Sequence, residues 1–128
     1  MNLMTEESER LKQWLLESVP ELGPEYETTV KYWDGEDPGV YNILEEVVNP
    51  YLASCLDSPG DPEALSRLFQ FVETLSTAPE PEIREAAAVT VIENLTRKRR
   101  WLDRARPFMG PQTLSTAKKM EEAWGVGE

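Results

Sequence analysis

Residues 61–95, DPEALSRLFQFVETLSTAPEPEIREAAAVTVIENL, carry two apolar stripes of helical period parted by a proline turn. That pattern narrows the folds open to this chain more than any other stretch. Asp61 can cap free backbone N–H groups, and Pro62 suits a first helical position because its missing N–H had no partner there. Leu65, Leu68, Phe69, Val72 and Leu75 then follow in steps of three and four, which places them on one helix face. Pro79 and Pro81 stop this helix and start another. Ile83, Ala87, Val91 and Leu95 recur every four residues, with Ala86, Ala88, Val89 and Ile92 widening the stripe. Such faces must be buried, so the remaining segments are expected to pack onto this hairpin.

The flanking segments continue the helical pattern. A first helix is expected from near Thr5, with Leu11, Trp14, Leu15 and Val19 facing inward and Pro20 and Gly23-Pro24 ending it. Residues 20–39, PELGPEYETTVKYWDGEDPG, are read as a helical turn plus loop, because Gly and Pro punctuate both ends. Asp37-Pro38 repeats the Asp-Pro helix start, and Val40, Leu44, Val47, Val48, Tyr51 and Cys55 follow at helical spacing. Pro50 falls inside that pattern and predicts a kink or break near Asn49. Gly110-Pro111 opens a last helix whose inner side is expected to be Leu114, Ala117, Met120, Ala123 and Trp124, with a tail, residues 125–128, that frays. The fold class that follows is all-α. It is a compact bundle of about five to six helices, with antiparallel helix pairs packed on the central hairpin, in a single domain over residues 1–128.

What the chain lacks limits its chemistry. It has no histidine and one cysteine, Cys55, which shares an apolar face and reads as a structural thiol. Nucleophilic triads and zinc sites of the usual kind are thereby set aside, as is an internal disulfide. Its seven glycines are isolated, so no phosphate loop is present. Glu73 and Glu93 are the carboxylates best placed for an all-oxygen magnesium site, the remaining enzymatic option. The expectation is a protein that is not an enzyme and takes no metal or cofactor. Nothing resembles a membrane span or a signal peptide, which makes the cytoplasm the expected compartment.

Charge is divided along the chain. Residues 1–96 hold 5 Lys/Arg against 20 Asp/Glu, and residues 97–128 hold 8 against 4. An acidic surface of that density repels nucleic acid and attracts basic proteins. The basic run TRKRRWLDRARPF alternates with apolar Trp101, Leu102 and Ala105, so its cations are read as partners for carboxylates of the same chain rather than as nucleic-acid contacts. Within residues 20–39, Tyr26, Tyr32 and Trp33 stand among six carboxylates. Either the rings pack inward and the acids face water, or the segment is a contact surface in which rings supply buried area and acids supply steering. In the second case Tyr32, Trp33, Asp34, Glu36 and Asp37 are the residues expected to bind a partner.

The order of YETTVKYWDGEDP, the pair RLFQFVETL and EIREAAAVTVIENL, and the closing block RARPFMGPQTLSTAKKMEEAWG resembles a family of small bacterial helical proteins known only as a domain of unknown function. The F-M-G-P turn at residues 108–111 is the most specific piece. The resemblance implies a helical fold and carries over no catalytic residue. Small acidic helical proteins of this kind also resemble immunity proteins of bacterial toxin systems. That likeness implies a non-catalytic protein, monomeric or weakly dimeric, that neutralises a basic toxin domain. The alternative is a helical scaffold or adaptor that associates with itself.

Overall fold

The computed structural model describes residues 4–58 and 60–127, and every element in them is helical. Seven helices occur among these residues. They are α1 (Glu6–Ser18), α2 (Gly23–Tyr32, entered through a 3₁₀ turn, Pro20–Leu22), α3 (39–57), α4 (Pro62–Ser76), α5 (81–95), α6 (Arg99–Ala105, continued by a 3₁₀ turn, Arg106–Phe108) and α7 (Pro111–Trp124). The count exceeds the expected five to six because residues 20–39 contain α2, not the helical turn plus loop that Gly and Pro suggested. Pro24 serves as a helix-starting residue there, and burial of Leu22 and Tyr26 outweighs the weak helix propensity of the Thr-Thr-Val run.

The hairpin α4–α5 is central. Leu65, Leu68, Phe69, Val72 and Leu75 of α4 and Ile83, Ala87, Val91 and Leu95 of α5 are all buried in one continuous core with Leu11, Leu15, Val40, Leu44, Leu52 and Leu102. Asp61 caps α4 as its spacing predicts, with Oδ1 accepting from Ala64 N at 3.1 Å. Arg84 Nη1 closes the proline turn by donating to the carbonyls of Ala78 (2.6 Å) and Pro79 (3.0 Å). Val89 departs from the expected stripe, since it is 44% exposed.

Both α3 and α5 contain a wide turn with backbone bonds from residue i to i+5. In α3 it spans Leu44–Val48 and ends with Asn49 N–H donating to Leu44 O. In α5 it spans Ala87–Ile92 and ends with Glu93 N–H donating to Ala88 O. Pro50 accounts for the first. Its ring cannot lie against the Glu46 carbonyl in a regular helix, and an extra residue in the turn relieves the clash without breaking the helix. The expected kink near Asn49 therefore takes the form of a bulge. The second has no proline. Asn49 Nδ2 donates to Thr90 O at 3.1 Å, so a side chain from α3 takes one carbonyl out of the ladder of α5.

Helix α7 is fixed by its start. Glu73 of α4 accepts from Gln112 N (3.0 Å), Thr113 N (2.9 Å) and Thr113 Oγ1 (2.8 Å), which places a carboxylate on the positive end of α7. The chain at Gly110 passes so near that a Cβ there would lie 2.5 Å from Glu73 Cδ. This contact gives the Gly-Pro turn a physical reason. It also sets the rotation of α7, and the expected inner side is corrected accordingly. Thr113 and Ala117 face inward with Met120 beside them, whereas Leu114 (41%) and Trp124 (78%) are exposed, as is Ala123. The tail does not fray through residue 127. Gly127 N donates to Thr96 O at 2.7 Å, Arg99 N donates to Gly127 O at 2.8 Å, and Val126 packs against the core. A Cβ at Gly127 would overlap the Arg97 carbonyl. Glu128 lies outside the described residues.

The basic run is largely consumed within the chain. Arg100 meets Asp57 at 2.8 Å, Trp101 Nε1 donates to the same Asp57 oxygen at 2.7 Å, Arg106 pairs with Glu121, and Arg104 donates to the Leu56 carbonyl.

Three carboxylates bonded within the chain predict how stability follows pH. Arg67 donates two hydrogen bonds to Glu21 and, against the effect of burial, pulls that carboxyl down to about 2. Burial pushes Glu73 and Asp37 up, but the N–H and O–H groups that donate to each outweigh it and leave both below their ordinary values. A carboxyl lowered by folding adds stability that is complete above its unfolded value and is lost as pH falls toward the folded one. Denaturant titrations are therefore expected to give constant stability above roughly pH 5 and a steady decline below it. Equal midpoints at pH 6 and pH 3 would contradict these assignments.

Candidate functional site

The five residues singled out by sequence meet at the turn between α2 and α3, where they divide into two groups. Trp33 N donates to the carbonyls of Thr29 and Val30, and Asp34 N donates to Lys31 O, which closes α2. The chain then reverses through left-handed backbone at Asp34 (φ 48°) and Gly35 (φ 87°). Gly35 adopts this conformation freely. Asp34 is among the few residue types with a side chain that tolerate it. Tyr32 is 81% exposed at the last position of α2. Trp33 is half-buried, and its Nε1 donates to Glu46 Oε2 at 3.1 Å, which ties the turn to α3. Asp34 and Glu36 are exposed.

Asp37 belongs to the scaffold. Its carboxylate accepts from Thr5 N (2.9 Å), from Ser8 Oγ (2.9 and 3.1 Å) and from Gly39 N (2.8 Å), so it joins the start of α1 to the start of α3. Tyr26 also turns inward. It is fully buried, its OH donates to Met4 Sδ, and burial together with nearby Glu9, Glu27 and Asp37 pushes it up to about 12. The structure divides the segment by exposure. Tyr26 and Asp37 face the fold, and Tyr32, Asp34 and Glu36 face solvent with Trp33 at the boundary.

This presentation opposes local stability. Carboxylates are unfavourable at the negative end of a helix, yet Asp34 and Glu36 stand just beyond the end of α2. Tyr32 beside them is 81% exposed.

Sequence reasoning missed a second feature. A cleft of about 470 Å³ lies between the wide turns of α3 and α5. Glu45 and Asn49 line it from α3, and Thr90, Glu93, Asn94 and Arg97 from α5 and the residues after it. Pro50 and the half-exposed Val89 supply its apolar wall. Among the described residues, Glu45, Glu93 and Arg97 form no ion pair, and Asn49 Oδ1 is buried without a donor. Pro50 was the available signal, since it predicts a distortion of α3. The matching distortion of α5 comes from a contact 41 residues away and leaves no mark in the local sequence.

Among the described residues, no three acidic or thiol side chains gather in a metal-holding set, and Glu73 is engaged as a helix cap. Cys55 is half-buried beside Tyr51, and burial pushes its thiol up, away from the reactive thiolate. Among the described residues no helix is long and apolar enough to cross a membrane.

A family described as a domain of unknown function, DUF7674, matches residues 12–125. The chain belongs to this family. Both the acidic turn and the cleft lie within the matched residues. No curated protein and no solved structure matches the chain.

Proposed function

We propose that this member of the DUF7674 family is a non-catalytic binding protein whose α2–α3 turn docks a basic protein. The observation that carries the reading is Tyr32, 81% exposed and flanked by Asp34 and Glu36 on a turn fixed by left-handed backbone. A ring held at the end of a helix supplies contact area, and the acids steer a cationic partner toward it. The excess of 15 acidic over basic side chains in residues 1–96 extends that attraction across the surface. Blocking a basic toxin domain in a bacterial cytoplasm, as an immunity protein does, is the function that best fits such a surface.

The test is a triple variant, Tyr32→Ala with Asp34→Asn and Glu36→Gln. Binding to the basic partner is expected to weaken by ~3 kcal/mol or more, about a hundredfold, in calorimetry, because an exposed aromatic anchor and two steering charges are lost together. Folding is expected to survive, since among the described residues none of the three side chains donates or accepts a bond that shapes the fold. Unchanged affinity would remove the turn from the interface.

Trp124 and Leu114 favour a second reading, a self-associating scaffold joined through α7. A dimer on light scattering that Trp124→Ala converts to monomer would support it.

A further inference from the structure

The turn between α2 and α3 joins an aspartate to a glycine, and its geometry bears on what that pair can do chemically. Trp33 O accepts from Glu36 N at 3.0 Å across Asp34 (φ 48°) and Gly35 (φ 87°). Positive φ at both central residues makes this a type I′ turn. Both residues are exposed. Among the described residues, the Asp34 carboxylate takes part in no ion pair and the Gly35 N–H donates to no backbone acceptor. A Cβ built at Gly35 would meet nothing within 4 Å, so approach to its nitrogen is open. The other aspartates and asparagines are placed differently. Asp37, Asn49 and Asp61 precede proline, whose nitrogen carries no hydrogen. Asp57 is held by Arg100 and Trp101, and Asn42, Asn94 and Asp103 lie within helices. Asn2 is outside the described residues.

We infer that Asp34 is a modification site, at which the chain isomerises spontaneously to isoaspartate. The Gly35 nitrogen attacks Cγ of Asp34. A C–N bond forms, and the carboxyl OH leaves with the Gly35 N–H proton as water. Water then opens the five-membered imide at either carbonyl. One opening returns aspartate, and the other gives isoaspartate, whose main chain runs through Cβ and Cγ. No reactant other than water is needed. The ring requires Cβ and the next nitrogen to eclipse about the Cα–C bond. For an L residue that occurs at ψ of about −120°, the value at the first central position of a type II′ turn. Types I′ and II′ share positive φ at that position, which Asp34 already has. Rotation of the single Asp34–Gly35 peptide plane converts one to the other, and glycine accepts either sign of φ. The added main-chain methylene lengthens the turn that Glu36 N and Trp33 O close, and so moves Glu36 relative to Tyr32. Only the consequence for binding rests on the proposed docking role.

The experiment ages the full native chain at neutral pH and follows isoaspartate by enzymatic methylation of its carboxyl group, with positions mapped by electron-transfer mass spectrometry. Isoaspartate is expected at residue 34 ahead of every other described position, preceded by a species lighter by one water. Its rate should lie within about tenfold of that in a free peptide of residues 29–39, because the fold has to supply only one peptide-plane rotation. The Asp34→Asn variant should give the same products faster, with release of ammonia, since a neutral amide is the better electrophile. The Asp34→Glu variant should give none, because its ring would have six members. An Asp34 that stays unmodified in the native chain after the free peptide has converted would overturn the inference. So would isoaspartate that forms first at another described position, or an Asp34→Asn variant that keeps its amide. Because that substitution belongs to the turn variant, binding by the turn variant is measured on fresh protein. Failure of docking leaves this chemistry intact, and an unreactive Asp34 leaves the docking turn standing.

Discussion

Replacing Glu73 by alanine should destabilise the protein by ~2–4 kcal/mol, although the residue lies at the surface end of a helix and forms no ion pair. The carboxylate accepts two backbone N–H groups and a hydroxyl at the start of α7, and Thr113 is fully buried. A helix-capping bond alone contributes ~1 kcal/mol, and leaving a partly buried donor without an acceptor costs ~1–3 kcal/mol more. For a chain of 128 residues such a loss lowers the melting temperature by roughly 10 °C. Gly110→Ala should also destabilise, by ~1–3 kcal/mol, because its Cβ would drive into Glu73. The two effects share one cause. In the double variant the shortened side chain at position 73 leaves room for the added methyl group. The combined loss should therefore fall well short of the sum of the single losses. Denaturant melts of the four proteins supply the cycle. Additive losses would mean that Gly110 is required for a reason other than its approach to Glu73.

Asp37→Ala is the second large effect, and it falls on a residue whose sequence context suggests partner contact. Its carboxylate draws together Thr5 and Ser8 of α1 and Gly39 of α3. Removing it frees Thr5 N, Gly39 N and the buried Ser8 hydroxyl, and ~2–3 kcal/mol of stability should go with it. Asp37→Asn should cost less, because a neutral acceptor remains, and should remove part of the acid sensitivity. Loss is expected in melting temperature and not in the intrinsic affinity for a partner measured on the folded protein. An Asp37→Ala protein of native stability and reduced affinity would reverse that assignment and return Asp37 to the interface.

These residues show where the sequence is informative. The α4–α5 hairpin is legible because its apolar residues recur at helical spacing and its ends carry Asp-Pro and Pro-Glu-Pro signals. Helix α2 is obscured because Gly23-Pro24 reads as a stop when it is a start, and only the burial of Leu22 and Tyr26 decides between them. The face of α7 is misread for a related reason. Apolar periodicity correctly turns Ala117 inward but adds Leu114, Ala123 and Trp124, whereas the cap from Glu73 turns Thr113 inward beside Ala117. The candidate turn is visible as aromatics among acids, and the sequence names Tyr32, Trp33, Asp34 and Glu36 without separating them from Asp37. That separation depends on donors from Thr5 and Ser8, about thirty residues away. The cleft needs two distorted helices side by side, of which only the one containing Pro50 has a sequence mark.

The central claim is that a basic partner recognises the turn itself and not merely the negative charge of the whole protein. The most direct measurement compares capture of the basic partner by three immobilised proteins at two salt concentrations. They are the native chain, the Tyr32→Ala/Asp34→Asn/Glu36→Gln variant, and a Glu25→Gln/Glu27→Gln variant that removes the same number of charges from exposed positions on α2. The prediction is that the native and the Glu25/Glu27 proteins retain one basic protein at low salt and release it at high salt, and that the turn variant retains none. Equal retention by both variants would contradict the claim, because charge alone would then account for the binding.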